Sequence, residues 1–240
     1  MRKFVWTMIL FTALPVYGQQ NYASISFGVS KPLGDYGLTG DLASNGYART
    51  GGAIKFDAAY FPGSYLGIGG SFSFGSNYAI RDSLLQDMFA YVLENASSID
   101  IPPDANITYG TGFWNYINLF IGPHYTVRAS QRLYFDIRIL AGISVLRPPD
   151  RELLVTFDGT EIHSAASHNK LTFGFTAGGG LRYKLNEGLA LKLGIDMVQA
   201  PSRFEYNFDL FDQVAGDIPA ISSDFWLTAL EISVGMAYAF

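Results

Sequence analysis

The residue types that could do chemistry are few. The chain carries three histidines, His124, His163 and His168, and no cysteine. A hydrolytic triad sets an imidazole between a hydroxyl and a carboxylate. His163 or His168 with a nearby serine and aspartate could form one in a loop. The missing cysteine removes thiolate metal sites and disulfides together. Carboxylates gather in two stretches: Asp82, Asp87, Glu94, Asp100 and Asp104 against Arg81, and Glu205, Asp209, Asp212, Asp217 and Asp224 against Arg203. Neither has the regular spacing of a calcium loop, so no metal and no cofactor is expected. A third set is different. Lys55, Asp57, Asp136, Arg138, Arg182, Lys192, Asp196 and Glu231 are four cations and four anions set singly in apolar, alternating segments. Chemistry of that kind is mutual pairing out of water, since an unpaired buried charge is costly.

The segments that hold these charges alternate with period two, which is the signature of a strand. The last, "LEISVGMAYAF", sets Leu230, Ile232, Val234, Met236, Tyr238 and Phe240 against Glu231, Ser233, Gly235, Ala237 and Ala239. Seven more segments share the code, beginning at Asn21, Gly51, Tyr65, Asn115, Leu133, Leu171 and Leu189. Tight connections at Pro62-Gly63-Ser64, Ala129-Ser130-Gln131 and Asn186-Glu187-Gly188 alternate with long polar ones. This pattern predicts an all-β fold: a closed antiparallel up-and-down barrel of eight strands with its two ends in different compartments.

The company the charges keep decides which face meets which solvent. All eight lie on the parity that also holds most of the glycines and serines; the bulky parity has none over a strand centre. A charge facing lipid at mid-depth costs about 2–4 kcal/mol. A bulky face without charge therefore suits hydrocarbon, and the small face a crowded polar lumen. The aromatics agree. Tyr60, Tyr125, Tyr183 and Tyr238 fall on the bulky parity near the short turns, and Phe74, Phe113, Phe173 and Trp226 on it near the long loops. These are the two belts expected at two bilayer interfaces. The expectation is a transmembrane barrel with a plugged polar lumen.

The remaining features fit export. "MRKFVWTMILFTALPVYG" has two cations, an apolar run and small residues, so residues 1–18 read as a cleaved signal peptide and 19–240 as the barrel domain. A net charge of −5 gives no basic footprint for nucleic acid. In the second long loop Leu84, Leu85, Met88, Tyr91 and Val92 recur at helical spacing behind Asp82 or Ser83 as cap, which predicts a short helix that lids the mouth or docks a partner. Asp158-Gly159 predicts a hairpin turn that carries two strands above the membrane.

With signal peptide, eight strands and a final aromatic in place, the chain resembles the small outer-membrane β-barrel proteins, the OmpA/OmpX-like group. "GPHY" at Gly122–Tyr125 is similar to a strand end of Bacteroidota-type barrels. The resemblance implies a Gram-negative outer membrane, with lipid and lipopolysaccharide around the barrel. It implies recognition by the barrel-assembly machinery through Ile232, Val234, Met236, Tyr238 and Phe240. It further implies a non-enzymatic role, structural or partner-binding through long acidic extracellular loops, an accessory of a surface or secretion system included. The alternatives are a small porin-like pore and a lipid A-modifying barrel enzyme. The last needs His and Ser facing lipid near the outer leaflet; His124 reads as lumenal and close to the short turns instead.

Overall fold

The computed structural model describes residues 21–63, 65–95, 106–149, 151–157, 160–166, 169–206 and 219–240. In chain order its elements are β1 (Tyr22–Leu33), β2 (Gly51–Tyr60), β3 (Leu66–Tyr78), helix α1 (Arg81–Asn95), β4 (Asn106–Thr111), β5 (Phe113–Arg128), β6 (Leu133–Arg147), β7 (Arg151–Phe157), β8 (Thr160–Ala166), β9 (Lys170–Lys184), β10 (Leu189–Tyr206) and β11 (Ile221–Ala239). Eight of the strands close a barrel in the order β1-β11-β10-β9-β6-β5-β3-β2. The first strand is laddered antiparallel to both the second and the last, with Tyr22 opposite Ala59 and Ala239, so the ring has no edge there. The up-and-down order of the eight segments is the one that the alternating short and long connections require.

Side-chain alternation sorts the wall into two solvents. Along β11 the residues from Ile221 to Ser233 alternate buried at odd numbers, while Ile232, Val234, Met236 and Tyr238 are exposed outside. Glycines on the inward parity make room for long neighbours. A Cβ on Gly75 would lie 2.0 Å from Cζ of Tyr116, and one on Gly178 would lie 2.1 Å from Oδ1 of Asp196. Small residues face inward because the lumen of an eight-stranded ring is only wide enough for side chains to fill it.

Above the barrel, β4, β7 and β8 form a three-stranded sheet in the order β4-β7-β8, continuing the lines of β5, β6 and β9. The β7–β8 pair runs to Phe157 opposite Thr160, a hairpin whose turn residues Asp158 and Gly159 lie outside the described residues. The ladder between β9 and β10 ends early, at Phe175 opposite Gln199. Beyond it β9 stays paired to β6 as far as Lys170, and β10 to β11 as far as Tyr206. Pro201, which has no N–H to give, sits in this unladdered stretch of β10.

Helix α1 begins where β3 ends, with the N–H of Leu84 donating to the Ile80 carbonyl at 3.1 Å. Leu84 is buried, and Leu85, Met88 and Tyr91 are half-buried; the side chain of Val92 lies outside the described set. The first long loop opens with a 3-10 turn over Gly34–Gly37 and returns through Tyr47 at a φ of 54°.

Candidate functional site

The lumen has three storeys. In the middle, the eight strand-borne charges are all at most 5% exposed. Six of them form one cluster. Nζ of Lys55 lies 2.7 Å from Asp196 and 2.6 Å from Glu231. Arg138 holds Asp196 with two donors, at 2.8 and 2.6 Å, and reaches Asp57 at 3.0 Å. Lys192 pairs with Asp57 and donates to the Ser24 hydroxyl at 2.9 Å. Lys55, Arg138 and Lys192 therefore balance Asp57, Asp196 and Glu231. The second cluster is Arg182 with Asp136, in a fork of 2.6 and 2.8 Å, plus a donation from Arg182 to Thr126 at 3.0 Å. Nε2 of His124 sits 3.5 Å from the same Asp136.

Two like-charged pairs are direct neighbours on the ladder, Asp196 with Glu231 and Lys192 with Arg182. Like charges set opposite repel. Lys55 resolves the first by standing between both carboxylates. The second is resolved by the ring of Tyr22, whose centroid is 3.9 Å from the Arg182 guanidinium carbon and 5.3 Å from Nζ of Lys192.

At the short-turn end, Tyr22, Phe61, Ala59, Ala190 and Ala237 form an apolar floor. His124 lies edge-on between Phe61 and Tyr22, at 5.4 and 5.8 Å between ring centroids. The long-loop end is closed by aromatics. Trp114 packs edge-on against Tyr36, Phe204 and Phe225 at 5.7, 5.5 and 5.6 Å, with Leu146, Leu227 and Ala229 around them. Nε1 of Trp114 donates to the Gly46 carbonyl at 2.7 Å, which draws the first loop into the mouth. Between cup and charges, Tyr116 donates to Glu231 at 2.7 Å, and its hydroxyl lies 2.9 Å from that of Ser30.

The first loop is also tied to the helix. The carboxylate of Asp87 accepts from the Tyr47 hydroxyl and, at 2.9 Å, from the Gly40 N–H. Burial first, and then this carboxylate, push the Tyr47 phenol up, so it stays protonated and donates. In the same loop Asp41 accepts from the Ser44 hydroxyl at 2.6 Å and from the Ala43 N–H at 2.8 Å, and the Ser44 bond leads in holding its carboxyl below the usual range.

The outer surface carries the other residues singled out in the sequence. Tyr60, Tyr125, Tyr183, Tyr238, Phe74, Phe113, Phe173 and Trp226 are all exposed outside the wall, by 39% to 67%. Ile232, Val234, Met236, Tyr238 and Phe240 form an exposed row on the last strand and its end. His163 falls in β8, where only the backbone is described. His168, Asp100, Asp104, Asp209, Asp212, Asp217 and residues 1–18 lie outside the described residues. Among the described residues no group of three His, Asp or Glu converges as a metal site.

The sequence reading missed the aromatic cup, the inward fold of the first loop and strand β4. Its signal was present in part: Trp114 and Tyr116 share the inward parity of Asn118, so the small face turns aromatic at its outer end.

No curated protein matches the chain. Among solved structures it is similar to Neisserial surface protein A (NspA), at 11% identity over 92% of this chain and 97% of that one, with a TM-score of 0.43. It is similar to Ail, the attachment invasion locus protein of Yersinia pestis, at 14% identity, 92% and 99% coverage and a TM-score of 0.40. The N-terminal β-barrel domain of Pseudomonas aeruginosa OprF gives 11% identity, 92% and 98% coverage and a TM-score of 0.39. The sequence pattern of the outer membrane protein β-barrel domain matches residues 8–240, and the chain belongs to that family of outer-membrane barrels.

Proposed function

We propose that this barrel is a non-enzymatic surface protein of the outer membrane with an occluded lumen, and that its structural or partner-binding role is carried by the acidic loops at its long-loop end. The observation that carries this reading is the stacking of the Trp114–Phe204–Phe225 cup on two internally balanced charge clusters. An ion entering from outside meets packed rings first. It then meets carboxylates and cations that already hold each other. The same packing speaks against lumenal catalysis, because His124 is buried and wedged edge-on between two rings. In this reading residues 1–18 are a leader removed on export, and the exposed row ending at Phe240 is the strand presented to the assembly machinery.

Planar-bilayer recording of the purified protein tests it. The expected result is a flat trace with no unitary steps, and lipid A of unchanged mass in envelopes with and without the protein. Regular conductance steps would establish the pore alternative, and a shifted lipid A mass the enzyme.

A further inference from the structure

The cations at the short-turn end stand apart from the lumenal clusters and play no part in occlusion. Arg128 ends β5, Arg132 stands on the β5–β6 turn and Lys184 ends β9. They hold adjoining places on the ladder. Arg128 lies opposite Tyr134, which in turn lies opposite Arg182. Arg132 is one place beyond the Leu133–Tyr183 pair, opposite Lys184, whose N–H donates to its carbonyl at 2.7 Å. Nζ of Lys184 is 5.5 Å from the centroid of the Tyr134 ring. Nε and Nη2 of Arg128 donate to the Ser130 and Gln131 carbonyls at 3.1 and 3.5 Å, which folds this guanidinium over the turn. Arg128 and Arg132 are exposed and Lys184 is half-buried.

A ring and two carbonyls orient these cations without neutralising them. Asp136, two places along β6 from Tyr134, is taken by Arg182 and His124. Glu187 is the one acidic side chain on the described short turns, and it forms no ion pair with the three cations. The stretches outside the described residues that adjoin this end in sequence, residues 1–20 and Ser64, contain no Asp or Glu. Like charges set opposite, as Arg132 and Lys184 are, repel. This sector of the rim therefore calls for an anion from outside the chain.

Depth says which anion meets it. Tyr125 and Tyr183 belong to the belt that marks where hydrocarbon gives way to head groups. Lys184 follows Tyr183 directly, and Arg128 lies one strand place beyond Val127 on the same side of the belt. At about 3.3 Å per residue on strands tilted by about 40°, these cations lie roughly 3–8 Å beyond the belt. A head-group layer is itself about 5–7 Å deep. Leu185, next after Lys184, is still apolar and 49% exposed on the outward face. The three cations thus stand at the level of lipid phosphates, not in open periplasm.

We propose that the rim formed by β5, β6 and β9 binds the head group of one anionic phospholipid of the leaflet at the short-turn end. Arg128, Arg132 and Lys184 donate to its phosphate oxygens in charge-assisted bonds. Its acyl chains lie along Phe135, Tyr183 and Leu185, which are exposed on the outer wall. The inference rests on the reading that the outward face meets lipid.

Native mass spectrometry tests it on the full chain released from phosphatidylcholine nanodiscs holding increasing diphosphatidylglycerol. The expected result is one diphosphatidylglycerol retained per barrel, saturating at low content and weakened by added salt. Changing Arg128→Ala, Arg132→Ala and Lys184→Ala together should shift the midpoint about tenfold upward. Arg128→Lys with Arg132→Lys, which keeps the charge, should retain most of the binding, and Glu187→Gln should tighten it. Retention that only rises in proportion to diphosphatidylglycerol, or a triple-Ala variant with an unshifted midpoint, overturns the site. So does hexaglutamate that binds the barrel in pure phosphatidylcholine discs and is lost with the triple-Ala variant, which would assign the rim to a soluble acidic partner. If the barrel keeps phosphatidylcholine equally well, the rim site alone fails. If the chain stays monodisperse in buffer without disc or detergent, the outward face is not in lipid and both readings fall.

Discussion

Arg138 shows how much one lumenal side chain holds. Its guanidinium engages both oxygens of Asp196 and one of Asp57, with every partner buried. Truncation to alanine leaves three carboxylates, Asp57, Asp196 and Glu231, sharing Lys55 and Lys192 in a medium that cannot solvate the excess charge. Breaking a buried pair of this kind costs about 3–5 kcal/mol. Arg138→Ala should therefore lower the urea unfolding midpoint of the refolded barrel, and adding Asp196→Ala should return part of the loss. An unchanged midpoint would mean that water screens the cluster. That these residues face inward was legible from the small residues beside them. Which cation meets which carboxylate was not, because the Lys55–Asp196 pair spans 141 positions in sequence and only the register of the closed ring sets it.

At the scale of elements, the inserted first loop is held to α1 by one carboxylate. Asp87 collects the Tyr47 hydroxyl and the Gly40 N–H, and the bridge of Ala48 to Ala79 lies beside it. Hydrogen bonds to a charged acceptor contribute roughly 1.5–3 kcal/mol each. Asp87→Asn should speed amide exchange at Arg49 and Ile80, whose N–H groups donate to Tyr78 and Tyr47, by about tenfold, and leave the mid-strand amides of β11 unchanged. Uniform acceleration across the barrel would show that the loop has no separate stability. The helix itself could be read from the spacing of Leu84, Leu85 and Met88. The inserted loop could not, since Tyr36 stands alone among polar residues and gains its burial from Trp114 and Phe225 on distant strands. Strand β4 escaped for a related reason: Asn106–Thr111 is short, and its pairing partner is β7, some forty positions on.

For the whole molecule, the placing of solvents is open to direct chemistry. A carbene reagent dissolved in acyl chains should label Ile137 and Leu191, which are exposed on the outer wall, and spare Leu140, three positions along the strand from Ile137 and turned inward. Equal labelling of Ile137 and Leu140 would abolish the two-solvent description. One feature of the lumen also bears on how such a chain reaches its final form. Most of its ion contacts do not join neighbouring strands: Lys55 and Asp57 on β2 find their partners on β6, β10 and β11, while Asp136 meets Arg182 and His124 on the strands either side of its own. A half-built sheet thus holds bare lysines and carboxylates with nothing opposite, and intermediate stages gain little until the first and last strands meet. Closure then settles all of these partners in a single step, which favours an all-or-none transition dominated by contacts far apart along the chain and a correspondingly slow approach to it.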